Sequence, residues 1–295
     1  MAPSRSLKAT SERGLDRQSL PLRLFEKGKR RGIWNPSDID LSQDSSDWQE
    51  LTPEEQDLLL RLSTLFLGGE ESVTLDLLPL IETVASEGRL EEELYLTSFL
   101  FEEAKHVDFF RRVFDEVFNV REDLSRYLGP SYVRLVQEEL PEALQRLRFD
   151  RSMEAQVRAS VTYNLIVEGI LAETGYYGFF TVLDQRGILP GVRLGISRLQ
   201  DDEARHIAFG IHFLSRWIRT SGQPAWQALE QRFQELLPLA FGVVSEIFTP
   251  YPVVPFALTP EHFLNYAMAQ SSRRILRLER VASGESPGTE GDSEA

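Results

Sequence analysis

The 295-residue chain carries 46 acidic and 32 basic side chains, a formal charge of −14, with four histidines and no cysteine. It is long enough to bury a sizeable core without covalent staples, and the missing thiols exclude a disulfide framework, a thiolate zinc site, an iron–sulfur cluster and a cysteine nucleophile. The acidity argues against a nucleic-acid partner, which needs clustered positive charge, so metal chemistry here would use oxygen and nitrogen donors.

Residues 1–31 hold nine basic and three acidic groups, a net of +6, and read as a flexible basic arm. The arm has no apolar h-region of a secretory signal, and no apolar run reaches membrane-spanning length, so a cytoplasmic protein is expected. From residue 32 to 281 the apolar spacing is i, i+3, i+4 and strand-like alternation is nearly absent. Thr52-Pro53-Glu54-Glu55 forms a capping box with proline at N1 and opens a helix to about Leu78, where Pro79 bends or ends it. Helices follow over about 89–118, in pieces over 131–147 interrupted near Pro141, and over 150–185, ended by Gly187 and Pro190. Three more run over about 191–219, 224–248 and 261–281. Residues 282–295 are Gly, Ser, Pro, Thr and acid, and predict a disordered acidic tail. The fold class is all-α.

Two segments 100 residues apart repeat one motif: Glu103-Ala104-Lys105-His106 and Glu203-Ala204-Arg205-His206. On a helix, i and i+3 share a face, so each pair can grip one metal ion. Either pair alone reads first as a surface salt-bridge pair. Their surroundings argue otherwise: Phe99, Phe109, Phe110, Ile207 and Phe209 put both near apolar faces, where an unpaired carboxylate is costly. Glu70 follows Leu65-Phe66-Leu67-Gly68-Gly69, and Glu168 sits in Ile166-Val167-Glu168-Gly169-Ile170 with no Lys or Arg between Arg158 and Arg186. The order Glu, Glu-x-x-His, Glu, Glu-x-x-His on four long helices is the ligand set of a ferritin-like dinuclear carboxylate bundle, here extended by additional helices. Four glutamates and two neutral imidazoles balance two divalent ions, and hard donors of this kind suit Mn and Fe. Asp202, directly before Glu203, is a candidate to fix the tautomer of a ligand histidine, or else a plain solvated aspartate.

These residues, with Trp34-Asn35-Pro36 and with Asp38, Asp40 and Ser42, resemble the ribonucleotide reductase small-subunit superfamily over about residues 25–280. The resemblance implies that Trp34 and Asp202 belong to a hydrogen-bonded chain reaching the metals. Within the superfamily the chain is most similar to the R2-like ligand-binding oxidases, on Val73, one turn after Glu70, and Tyr163, five residues before Glu168. In that group these positions form a tyrosine–valine ether cross-link. The resemblance further implies an O2-dependent oxidase, Mn at Glu70, Glu103 and His106, Fe at Glu168, Glu203 and His206 (Fe/Fe as the alternative), a long-chain fatty acid or similar apolar ligand against the metals, and a homodimer. An electron donor is implied as a further partner.

The geometry behind the cross-link is partial. Positions i and i+5 lie about 140° apart on an ideal α-helix, so Tyr163 and Glu168 need a distorted turn such as a π-bulge. Without the resemblance, Val73 and Tyr163 read as ordinary core residues. Gly68, Gly69, Gly169, Ala172 and Gly175 could open room for an apolar ligand chain or could serve close helix packing, and Tyr176 and Tyr177 could line the same space. A radical-generating ribonucleotide reductase subunit and a non-catalytic metal-binding bundle are the competing readings. Against the first, Phe110 stands where such subunits place a radical tyrosine, and residues 282–295 hold no aromatic residue.

Overall fold

The computed structural model describes residues 7–286, and every regular element among them is helical. The helices begin where the sequence supplies caps. Thr52 Oγ1 accepts the Glu55 N–H while Glu55 Oε2 accepts the Thr52 N–H, and this box opens α3, Pro53–Asp76. The helix ends just before Pro79, as expected, and Pro79 takes an N-terminal position of the next one, α4, Leu78–Ser86, where its missing N–H costs nothing. Helix α5 spans residues 90–118, with a π-helical last turn over Val113–Phe118 that ends at Asn119 in the left-handed region. Helix α6, residues 130–146, contains the expected interruption as a π stretch over Val133–Glu139, just before Pro141. Helix α7, residues 153–186, is N-capped by Ser152 and is π-helical over Val161–Ala172. Gly187, at φ 63°, ends it. Helices α8, Pro190–Ser221, α9, Gln223–Phe248, and α10, Pro260–Ala282, complete the chain.

Two short helices precede α3, namely α1, Leu20–Arg31, and α2, Ser42–Glu50. The first corrects the reading of residues 1–31 as a flexible arm. Leu22 and Leu24 are buried where α1 crosses α5 and α8, while Lys29, Arg30 and Arg31 gather in its last turn, where the helix dipole favours cations. The charge of the segment concealed its apolar stripe. Residues 1–6 of that arm and 287–295 of the acidic tail lie outside the described residues.

Helices α3, α5, α7 and α8 form the central bundle, with α3 against α5 and the π stretch of α7 against α8. Helices α9 and α10 pack on the outer side of that π stretch. Phe99, Phe209 and Phe213 are fully buried in one apolar cluster and Phe109 in a second. Close approach of α8 to α5 requires glycine at 195, since a Cβ there would meet the Phe109 ring at 2.0 Å.

The start of α8 is held by α2. Asp44 is fully buried, and its carboxylate accepts the N–H of Gly191 (2.9 Å) and of Val192 (2.6 Å); Asp47 accepts the N–H of Leu189 (2.8 Å). A carboxylate on free N–H groups at a helix N-terminus satisfies donors that would otherwise be orphaned. Because α8 carries one of the two repeated motifs, this cap bears on the site. Asp44→Ala is expected to cost about 1–3 kcal/mol and to lower the thermal unfolding midpoint, measured by circular dichroism.

Candidate metal centre

Each bundle helix contributes its acidic group at the same level. Glu70 comes from α3, Glu103 and His106 from α5, Glu168 from α7, and Glu203 and His206 from α8. All six are buried. Donor atoms of Glu70, Glu103, His106 and Glu203 lie within 4.8 Å of one another, and so do those of Glu103, Glu168, Glu203 and His206. The two groups share Glu103 and Glu203, so these two carboxylates are placed to reach both positions.

The histidines turn the same ring atom inward. His106 Nδ1 lies 3.3 Å from Glu70, 3.7 Å from Glu103 and 3.6 Å from Glu203. His206 Nδ1 lies 3.1 Å from Glu103, 3.5 Å from Glu203 and 3.7 Å from Glu168. The outer nitrogens face carboxylates across the bundle: His106 Nε2 is 3.4 Å from Asp202, and His206 Nε2 is 2.9 Å from Glu102. An outer acceptor of this kind holds a proton on Nε2 and leaves Nδ1 free to ligate.

Sequence reasoning found Asp202 and Trp34 but missed Glu102, Arg205, Lys105 and Asn164. Asp202 is fully buried and accepts from Trp34 Nε1 at 2.8 Å, from Lys105 Nζ at 3.0 Å and from Arg205. Arg205 Nη2 also donates to Glu102 at 2.6 Å, so one guanidinium ties together the acceptors of both histidines. Lys105 further donates to the Gly32 carbonyl (2.7 Å) and lies 4.4 Å from the Trp34 ring. The signal was present in the repeat itself. An acid precedes each ligand-type glutamate, and a base precedes each histidine, but the two halves support each other crosswise rather than within their own helix. Asn164 Nδ2 donates to Glu168 at 3.0 Å.

Charge governs the protonation of the cluster. Burial pushes the carboxyls of Glu70, Glu168 and Glu203 above the usual range, with neighbouring carboxylates adding to the effect. Glu103 is the exception: burial opposes its ionisation, but the imidazoles of both histidines close beside it hold it well below. Burial disfavours the imidazolium of His106 and of His206, yet their carboxylate neighbours raise both well above the ordinary value. Glu103 Oε2, Glu168 Oε1, Glu203 Oε2 and His206 Nδ1 are buried with no hydrogen-bond partner. Orphaned donor atoms aimed at one another are costly unless a cation joins them. The residues therefore fit two divalent ions. Two such ions would offset the four glutamates, and Lys105 and Arg205 offset Asp202 and Glu102.

Tyr163 is fully buried and donates to Glu103 Oε1 at 3.1 Å; burial, with the nearby carboxylates, keeps its phenol neutral. The π stretch of α7 spans both Tyr163 and Glu168, and π geometry brings i and i+5 together, which is the distortion the spacing calls for. Val73 is buried and lines a mostly apolar cavity of about 980 Å³, mouth included, with Glu70, Glu103, Glu168 and Glu203 in its wall. Its lining also includes Ile247, Phe248, Leu258 and Phe263 from the outer helices and the segment joining them. The small residues divide. Gly69, Ala172 and Gly175 line this cavity, whereas Gly68 faces the Tyr132 hydroxyl and Gly169 faces the Asn164 carbonyl. Tyr176 and Tyr177 do not line it; Tyr176 packs on Phe66 and Tyr177 stacks on Tyr266.

Comparison with known proteins places these features. The family model described as "Ribonucleotide reductase, small chain" matches residues 25–266. Among solved structures, a valine-to-leucine mutant of R2-like ligand-binding oxidase with anaerobically reconstituted Mn/Fe cofactor is 37% identical, covers 97% of this chain and 100% of its own, and superposes with a TM-score of 0.87. A tyrosine-to-phenylalanine mutant with aerobically reconstituted Mn/Fe cofactor is 37% identical over 92% of this chain and 98% of its own, at 0.88. An R2-like ligand-binding oxidase with aerobically reconstituted metal cofactor after photoconversion is 37% identical over 92% and 97%, also at 0.88.

Two expectations follow from the geometry. Glu102→Ala and Asp202→Ala are each expected to weaken metal retention about 10–100-fold, at the His206 and His106 positions respectively, read by chelator competition and elemental analysis. Because the histidine pKa values are raised, the metal-free cluster holds protons that ligation must displace. Affinity should therefore rise with pH, and calorimetry in buffers of different ionisation enthalpy should register proton release on loading.

Proposed function

This chain belongs to the ribonucleotide reductase small-chain family, among its R2-like ligand-binding oxidases, and from that premise we propose that it is an O2-dependent oxidoreductase that holds an apolar ligand against a Mn/Fe pair. The observation that carries the reading is the cavity wall: four carboxylates of the cluster border a space lined for the most part by Leu, Val, Ile and Phe side chains. A long-chain fatty acid matches that chemistry, because its hydrocarbon is taken out of water along the apolar walls while its carboxylate meets the cations.

We assign Mn to Glu70, Glu103 and His106 and Fe to Glu168, Glu203 and His206, with Glu103 and Glu203 within reach of both ions. Fe/Fe is the alternative occupancy, since Fe(II) ordinarily binds tighter than Mn(II). When bound, the pair would supply Lewis acidity and electrons for the reduction of O2.

The protein's own residues set up a second outcome, a Tyr163–Val73 ether. Val73 and Glu70 share a helix face at i, i+3, and both line the cavity. Glu103, 3.1 Å from the Tyr163 hydroxyl, is placed to take the phenol proton. The ether costs one O–H bond of Tyr163 and the Cβ–H bond of Val73, and the two hydrogens, with their electrons, go to O2. Phe110, buried between Phe66 and Phe109, offers no phenol in that layer, which favours the oxidase over a radical-delivering subunit.

Intact-mass measurement after Mn/Fe loading in air should show the loss of two hydrogens, mapped to a linked Val73–Tyr163 peptide pair. Tyr163→Phe should keep its metals and its full mass. An unchanged wild-type mass after loading and exposure to O2 would remove the ether from this account. Mass spectrometry of solvent-extracted protein should recover a fatty acid; its consistent absence would remove the ligand.

A further inference from the structure

A second cavity lies far from the metal cluster, where the N-terminal segment, the turn before α5 and the C-terminal part of α8 meet. It encloses about 1030 Å³, mouth included. Arg216 and Glu92 stand in its wall, 10 and 11 positions from His206 and Glu103 on the same helices. That is roughly 15 Å along the helix axis, so this space is not an extension of the metal site.

Most polar groups around it are satisfied. Arg13 donates to both oxygens of Glu91 at 2.9 and 2.8 Å, and the Asp16 N–H adds a third bond at 2.9 Å. Lys8 donates to the Gly88 carbonyl. Glu87 accepts from Arg89 at 2.8 Å and from Gln156 at 2.7 Å.

Arg216 is different. Its side chain is only 10% exposed, and none of its three guanidinium nitrogens has a hydrogen-bond partner. Glu92 and Glu87 approach it at 3.6 and 3.8 Å, outside hydrogen-bonding distance. Phe213 and Trp217 flank it at 4.6 Å each, so its planar faces are covered by rings. Beside it, Glu92 Oε2 is buried and unpartnered as well. Five unused donors on a buried guanidinium are costly, and a planar fork of this kind matches the two oxygens of a carboxylate or phosphate.

We propose that this cavity is a binding site for a small oxyanion that also carries a hydrogen-bond donor. Arg216 grips the anionic group, and Glu92 Oε2 accepts from a hydroxyl or ammonium on the same molecule. The lining basic groups Lys8, Arg13, Arg89, Arg216 and Arg219 outnumber the acids Asp16, Glu87, Glu91 and Glu92 by one, which favours an anion over a cation. Because Arg13 and Lys8 tie the N-terminal segment over the cavity, an occupant would also hold that segment against α5.

The test uses the full-length, metal-loaded protein and two probes that share a hydroxylated carbon skeleton, glycerol 3-phosphate and glycerate. Isothermal titration is expected to show saturable binding of one of them, which identifies the phosphate or the carboxylate as the recognised group. Arg216→Gln should weaken that binding by about tenfold to a hundredfold, as expected for a lost charged hydrogen bond, with metal content unchanged. Arg134→Gln, an exposed arginine of α6 outside this cavity, should bind as wild type. If Arg216→Gln does not fold, hydrogen exchange on the wild type decides: the probe should slow exchange in residues 87–92 and 212–220. Binding of neither probe, equal binding to a folded Arg216→Gln protein, or unaltered exchange in both segments would overturn the proposal. None of these readouts depends on the oxidase chemistry.

Discussion

Six carboxylates brought within reach of one another in a protein interior define this molecule. Glu70, Glu103, Glu168 and Glu203 converge on two positions, and Asp202 and Glu102 stand behind the histidines. Such a concentration of negative charge in low dielectric is unfavourable unless cations answer it. The protein supplies two of its own, Lys105 and Arg205, and leaves donor atoms of the inner glutamates unpartnered. The metal-free cluster meets the same constraint with protons on its histidines, and the metal-loaded one with divalent ions.

The crossed arrangement turns that constraint into precision. Asp202 on α8 supports the histidine of α5, and Glu102 on α5 supports the histidine of α8. Arg205 bonds both acids. Each histidine is therefore oriented by the opposite helix, and a shift of α5 relative to α8 would disturb both at once. Neighbouring contacts guard that register: Asp44 caps the first turn of α8, and Gly195 lets α8 approach Phe109.

Helix α7 solves a different problem. Its π stretch aligns Tyr163 with Glu168, and the apolar cavity passes Val167 and Leu171 of the same stretch. A regular α-helix would separate Tyr163 from Glu168 by much of a half-turn. The distortion carries its own requirement, because widened helices need outside support, and α9 and α10 provide it by packing on the π stretch. The helices beyond the four-helix core thus bear on the chemistry: they wall the cavity and brace the irregular turn.

What the sequence determined by itself was whatever depends on local periodicity. Helix positions, the capping box, the paired Glu-x-x-His motifs and the two lone glutamates in apolar runs follow from i, i+3 and i, i+4 spacing, which a single helix enforces without its neighbours. Asp202 was legible because it adjoins a motif. Tertiary structure alone decided the rest. Glu102 and Arg205 sit in the repeat as plainly as Asp202, but their partners are about 100 positions away, and no local pattern says that the halves cross. The basic segment hid α1 because its charge outweighed an apolar stripe that only α5 and α8 make sense of. Tyr176 and Tyr177 were misplaced for the same reason: adjacency to small residues says nothing about which face of a helix a cavity occupies. Spacing along one helix is a property of the chain, whereas contact between helices is a property of packing, and the charge balance of this site lives in the packing.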